Sequence, residues 1–233
     1  MFGPKKRFIV DSPAVRQSRL VSIYRNYLAT ADTLKFGDQL AGIYAPATLA
    51  KLLATGVVEV RRAAALALAI LGDETTIEAL GRALSDNDRG VRLAADDAFR
   101  VTVTRLASMP HHQQLLRIMH LNDGSNFEAA LPLATNLTQQ ATDYAEAWHQ
   151  LGIAWEGVRD YAAAEEAFKR CLWRCRFHYL AWHGVARCRI SLQCYLESLM
   201  PLDRATTISP DFETPRLQAR ALRRKLKISK RQP

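Results

Sequence analysis

Several things are scarce in this chain, and each scarcity excludes a class. The longest uninterrupted apolar run, Ala63 to Leu71, is nine residues, about half of what a membrane-spanning helix needs. Eleven Gly and nine Pro in 233 residues are too few for a collagen-like or linker-dominated chain. Cysteine is absent from the first 170 residues. Its four copies, Cys171, Cys175, Cys188 and Cys194, fall within 24 residues. No stretch alternates apolar and polar residues with period two, so no strand is expected. Also missing are G-x-S-x-G, H-E-x-x-H, a phosphate-binding P-loop and G-x-G-x-x-G. With no nucleophile placed beside a base, the chain is expected not to be an enzyme.

Excess positive charge is confined to the ends. The chain carries a formal net charge of +9. Residues 1–20 hold +4 of it, from Lys5, Lys6, Arg7, Arg16 and Arg19 against Asp11. Residues 213–233 hold +7, from eight basic side chains against Glu213, which leaves −2 for everything between. A neutral body with basic ends points to contact with something acidic rather than to a basic body gripping nucleic acid. No 7–15-residue apolar segment follows the basic start, so no signal peptide is read. The expected location is cytoplasmic, with the thiols reduced.

Two internal repeats organise what remains. Trp148 and Trp182 stand 34 residues apart, as do Leu151 and Val185, and Gly152 and Ala186. Asn126-Phe127, Asp160-Tyr161 and Cys194-Tyr195 recur at the same period, followed by Ala130, Ala164 and Ser198, then Ala134, Phe168 and Leu202, then Leu137, Cys171 and Ala205. Within each unit the apolar residues follow helical spacing twice, over 145–156 and 161–171 in the best copy, so each unit is a helix pair. Neither pair buries its stripe alone, and stacking of units is required. Trp148 and Trp182 are expected to fill the core between paired helices. Pro132 and Pro201 are expected inside second helices, with a kink at each. Upstream, Val60-Arg61-Arg62-Ala63-Ala64 returns 31 residues later as Val91-Arg92-Leu93-Ala94-Ala95, preceded by a short helix over 77–84 and the turn Ser85-Asp86-Asn87-Asp88. Asp86 or Asp88 is expected to cap the helix that follows, with Arg92 pairing to the turn.

The pattern Trp148-x2-Leu151-Gly152-x2-Trp155 … Ala164-x3-Phe168 resembles the tetratricopeptide repeat over about 111–212, and the upstream pair resembles HEAT repeats over about 46–106. The resemblance departs from the tetratricopeptide pattern where Thr142 and Arg176 replace the closing proline, and in the first unit, where Gln114 and Arg117 stand in place of Trp and Leu. It implies an all-α helical-repeat solenoid: an N-terminal helical cap over 1–45, HEAT-like units over 46–108, tetratricopeptide-like units over 109–212, and a basic capping helix and tail over 213–233. Ser12-Pro13 is a helix start for the cap, with Leu20, Ile23, Tyr24, Tyr27 and Leu28 as its apolar stripe.

Tetratricopeptide arrays line their concave groove with first helices. In that register the groove positions are Glu146, His149, Ile153 and Glu156 in one unit and Leu180, His183, Arg187 and Ile190 in the next. His149, Ile153, His183 and Arg187 do not match the family's carboxylate clamp, so a chaperone-tail partner is disfavoured. The resemblance instead implies a protein-interaction scaffold that takes a peptide or a partner helix. Arg223, Arg224, Lys225 and Lys227 are the expected contact with an acidic protein surface, while Leu217, Leu222 and Leu226 hold the last helix down. Two other readings stand beside this one. Basic ends also suit nucleic-acid backbone or an anionic membrane surface, although no aromatic accompanies them for base stacking. HEAT-like units of this size also resemble phycobilin lyase-type proteins, in which a solenoid positions a substrate protein. No cofactor is expected and no metal ligands are assigned. The Cys cluster, with His178 and His183 nearby, lacks a C-x2-C pair and reads as ordinary thiols. His111-His112 are adjacent and point to different faces.

Overall fold

A computed structural model describes residues 13–229. The described residues form thirteen α-helices joined by short turns, with no strand among them. This is the all-α helical-repeat solenoid that the periodicities call for. The basic residues Lys5, Lys6, Arg7, Lys230 and Arg231, and Ser12, lie outside the described residues.

The first half is built from α1 (Pro13–Thr30), α2 (Thr33–Ala41), α3 (Pro46–Thr55), α4 (Val58–Leu71), α5 (Ile77–Ala83) and α6 (Arg89–Arg105), with one 3-10 turn at Glu74–Thr76. Leu20 and Ile23 of the first stripe are buried, while Leu28 is exposed. The turn before α6 is organised by paired arginines. Asp88 caps α6 by accepting from the Val91 N–H at 2.9 Å. Arg61 holds Asp86 with two bonds of 2.8 Å, and Arg62 holds Asp88 at 2.8 and 2.7 Å. Arg92 closes the turn from the other side by donating to the Asp86 carbonyl at 2.9 Å. The N-terminus of α4 has no such acid, and Val57 supplies no side-chain cap. The fork of each guanidinium matches a carboxylate, so this ladder fixes the register between α4 and the turn.

The second half runs through α7 (Met109–Asp123), α8 (Phe127–Gln140), α9 (Ala145–Gly157), α10 (Tyr161–Arg174), α11 (Tyr179–Ser191), α12 (Leu199–Ile208) and α13 (Glu213–Ser229). The backbone repeats with the same period as the sequence. Ser125, Arg159 and Gln193 all take positive φ, at 58°, 67° and 62°. Each ends a first helix, and the next N–H reaches back five residues: Asn126 to the Leu121 carbonyl, Asp160 to Trp155 and Cys194 to Arg189. That is the 6→1 closure of a left-handed helix cap. The indole N–H of Trp148 bonds the Thr142 carbonyl at 2.9 Å, and that of Trp182 bonds the Arg176 carbonyl at 3.0 Å.

These indoles are only half-buried, so they do not fill the core as the sequence predicts. Each needs its N–H near a carbonyl at the end of the preceding helix, and that holds the ring at the rim. Phe168 is the filler, fully buried between two glycines. A Cβ on Gly152 would lie 2.6 Å from its ring, and one on Gly184 2.7 Å. Pro201 also departs from expectation. The helix of the last unit starts late, at Leu199, so Pro201 falls in its first turn, where the missing N–H has no partner to lose. Pro132 does lie inside α8, which runs on as one helix.

Phe168→Ala should lower stability by about 3–5 kcal/mol, as truncating a buried aromatic does. Trp148→Ala should cost less, because part of the indole is already in water. Thermal or urea melts of the two variants check the order, and a reversed order contradicts this packing.

Candidate functional site

The groove of the second array is partly filled from within. Helix α6 lies across the N-terminal ends of α9, α11 and α13, on a stripe spaced i, i+4, i+7. Arg92 grips Asp211, just before α13, at 2.8 and 3.0 Å. Asp96 accepts from the Tyr179 hydroxyl at 2.6 Å. The Phe99 ring stands edge-on to His178, with centroids 6.4 Å apart. The Thr104 carbonyl, at the far end, accepts from the Tyr144 hydroxyl and faces His112 Nδ1. The turn before α11 completes the contact. Phe177 lies so close to Gly81 of α5 that no side chain fits there, and Arg176 pairs with Glu78. The two repeat arrays therefore form one body.

This changes what the groove register positions do. Glu146, His149 and His183 are buried, with 5–6 % of their surface exposed, and do not line an open groove. They face inward because α6 and α13 cover them. Glu146 is the centre of one network. Its Oε1 accepts from His149 Nδ1 and Gln150 Nε2, each at 2.9 Å, and its Oε2 from His178 Nε2 at 2.9 Å. Gln150 is held in turn by Asn122 at 2.9 Å. Burial would raise the Glu146 carboxyl, but the charge and hydrogen bonds of the two imidazoles outweigh it and hold the group well below the carboxylate range. Burial pushes His149 down despite that carboxylate.

A second network takes the remaining register residues. Arg187 holds Glu156 at 2.7 and 2.5 Å and leans on His183 Nδ1 at 3.2 Å. His183 Nε2 meets Gln218 of α13 at 2.8 Å. Ile190 turns away into the small cluster of Ala186, Leu202, Ala219 and Leu222. Ile153 and Leu180 stay partly exposed. They line a cavity of about 730 Å³ between α6, α7, α9 and α11, whose floor is Glu146, His149 and His178.

The basic helix behaves differently from one end to the other. Leu222 is buried, but Leu217 is 53 % exposed and holds nothing down; Pro215 and Ala219 occupy the inner stripe instead. Of the four cations expected to meet a partner, Arg223 is paired with Asp203 at 2.6 and 2.8 Å and Lys225 sits 3.9 Å over the Tyr195 ring. Arg224 and Lys227 are exposed, as is Arg220, and none of these three side chains makes a hydrogen bond or ion pair with the described residues. Among the cysteines, Cys171, Cys175 and Cys188 are buried and Cys194 is exposed. Burial raises the first well above its ordinary value, the second to about 11 and the third to about 12. Such thiols stay protonated at neutral pH.

With this geometry in view, the comparisons speak to the first half. Residues 29–100 match the family of HEAT repeats. The match begins upstream of residue 46, inside the segment read as a cap. HEAT repeats commonly mediate protein interactions. No curated protein matches the chain. No described helix is long and apolar enough to cross a membrane.

Sequence reasoning set His178 beside the cysteines rather than beside Glu146, and it missed Gln150, Asn122 and the placing of α6 over these positions. One signal was present: Glu146-x2-His149 places a carboxylate and an imidazole on one helix face. The burial of His149 and His183 has a measurable consequence. Burial lowers both, and Arg187 lowers His183 further. The unfolded imidazoles take protons near pH 6.5 while the folded ones refuse them, so stability present at pH 7 is lost as pH falls toward the folded values. The melting temperature should therefore fall from pH 7 to pH 5. A variant carrying His149→Gln and His183→Gln should show a flatter profile over that range, and an unchanged slope contradicts the burial.

Proposed function

We propose that the chain is a non-enzymatic adaptor. Its 34-residue units are tetratricopeptide repeats, and an acidic protein surface docks on the exposed basic face of its last helix. One observation carries this reading. Arg220, Arg224 and Lys227 project from α13 without a partner among the described residues, beyond a body that is close to neutral. Unpaired cations keep their full hydration and field, and they steer an acidic partner from a distance. Leu217, exposed on the same helix, supplies an apolar contact of the kind that lies at the middle of such interfaces. The general role of HEAT repeats as interaction modules supports an adaptor, and a cytoplasmic location fits reduced thiols.

The groove reading narrows with it. A partner helix has no room where α6 already lies, so a peptide in the groove is confined to the cavity beside Ile153 and Leu180. The absence of an exposed aromatic along the α13 cations favours protein over base-reading nucleic-acid contact.

The test is a variant with Arg220→Gln, Arg224→Gln and Lys227→Gln, which leaves Pro215, Ala219 and Leu222 packed. Its melting temperature should match the parent within a few degrees. Binding to the partner captured by cross-linking should fall at least tenfold, and parent binding should weaken as salt shortens the Debye length below ~10 Å. Unchanged partner binding removes α13 from the interface. Loss of duplex DNA or anionic-vesicle binding with a steep salt slope, and no effect on a protein partner, overturns the adaptor for the charged-surface alternative.

A further inference from the structure

The buried tripod under the cavity has a property that hydrogen bonding alone does not require. Glu146, His149 and His178 each present one ligand atom, and these atoms lie within 4.8 Å of one another. Two come from one face of α9, in a Glu-x-x-His spacing that helix bundles use for metals. The third comes from the start of α11, 29 residues later in the chain. We propose that Glu146, His149 and His178 bind one zinc ion, with a water from the cavity as its fourth ligand.

The chemistry of the donors selects the ion. Two imidazoles and one carboxylate suit zinc among divalent cations, and three protein ligands leave a position for water. Magnesium and calcium want oxygen donors throughout. The distances suit one ion. With Oε1 as the carboxylate ligand, its 2.9 Å gap to His149 Nδ1 opens by a few tenths of an ångström to the roughly 3.3 Å that tetrahedral zinc with bonds of about 2.0–2.1 Å sets between neighbouring ligand atoms. All three ligand atoms already lie within 4.8 Å of one another, and Oε2, 2.9 Å from His178 Nε2, gives up that bond when the ring turns to the ion. All three residues line the 730 Å³ cavity, which gives water and the ion a route in.

The proton balance closes without a co-reactant. Each imidazole shows a ring nitrogen to Glu146 and carries the shared proton there. Zinc takes those two nitrogens, and each proton moves to the other nitrogen of its ring, so both rings remain neutral. At His178 this gives up the 3.2 Å contact from the Ala181 N–H to Nδ1. That N–H keeps the His178 carbonyl, at 3.0 Å, and the ring N–H that forms must find its acceptor in cavity water, as metal-bound imidazoles do. A supporting layer is already in place. Gln150 donates to Glu146, and Asn122 donates to Gln150, fixing the carboxylate as outer residues do around bound metals.

The test uses the full chain, stripped of metal, with Cys194→Ser to remove the exposed thiol. Calorimetric titration with Zn²⁺ should give one ion per chain with a micromolar or tighter constant, and Zn²⁺ should raise the melting temperature. Co²⁺ should give visible d–d bands without thiolate charge-transfer absorption. His178→Asn removes the imidazole and retains a helix-capping side chain, and it should weaken Zn²⁺ at least a hundredfold. If that variant fails to fold by circular dichroism, Gln150→Ala, which leaves all three ligands, decides instead: it should weaken Zn²⁺ by roughly 10–100-fold. Binding unaffected by the deciding variant, no saturable site in the parent, or thiolate bands with Co²⁺ would each overturn the proposal and leave a hydrogen-bonded tripod.

Discussion

Helix α6 belongs to two cores at once, and the arrangement of the whole chain depends on that. Val91, Ala95 and Ala98 are buried on one side of it, where it packs with α4 and α5. Arg92, Asp96 and Phe99, one step around the helix, meet Asp211, Tyr179 and His178. Two solenoids joined end to end would otherwise share only a junction at Met109-Pro110. A helix packed on both sides removes the hinge and makes the second array's groove part of the interior. Everything unusual about the groove follows, since residues that face water in an open array here require internal partners.

Those partners are chosen economically. A buried carboxylate is costly unless every oxygen is satisfied, and Glu146 receives three N–H donors from His149, Gln150 and His178. Arg187 is matched by Glu156 with two bonds, so the second charged pair is neutral as a unit. On α13 itself the cations without a partner among the described residues, Arg220, Arg224 and Lys227, lie on the exposed face.

Much of this was legible in the chain itself. The 34-residue period reappears in the backbone as positive φ at Ser125, Arg159 and Gln193, because a local hydrogen-bond closure is written in local sequence. The capping of α6 by Asp88 was legible for the same reason, and the match of residues 29–100 to HEAT repeats agrees with the upstream pattern. Spacing also placed Glu146, His149, His183 and Arg187 on one face of their helices. What spacing does not carry is the identity of whatever covers that face. Register defines a direction from a helix axis, and water, a partner or the chain's own α6 can stand there equally well.

The tertiary structure alone decided the remainder. It sent Trp148 and Trp182 to the rim, because an indole N–H must find a carbonyl, and it gave the central space to Phe168 between Gly152 and Gly184. It brought His178 to Glu146 across 32 residues, a proximity created by the return of one helix pair onto the last. It also separated the α13 cations into paired and free ones, since Asp203 and Tyr195 lie on neighbouring elements that sequence distance does not reveal. Sequence determined the helices, their period and their buried stripes, because those arise from interactions within a few turns. Packing between distant segments determined which polar groups were drawn inside, because only there does the loss of water force each charge to find a partner.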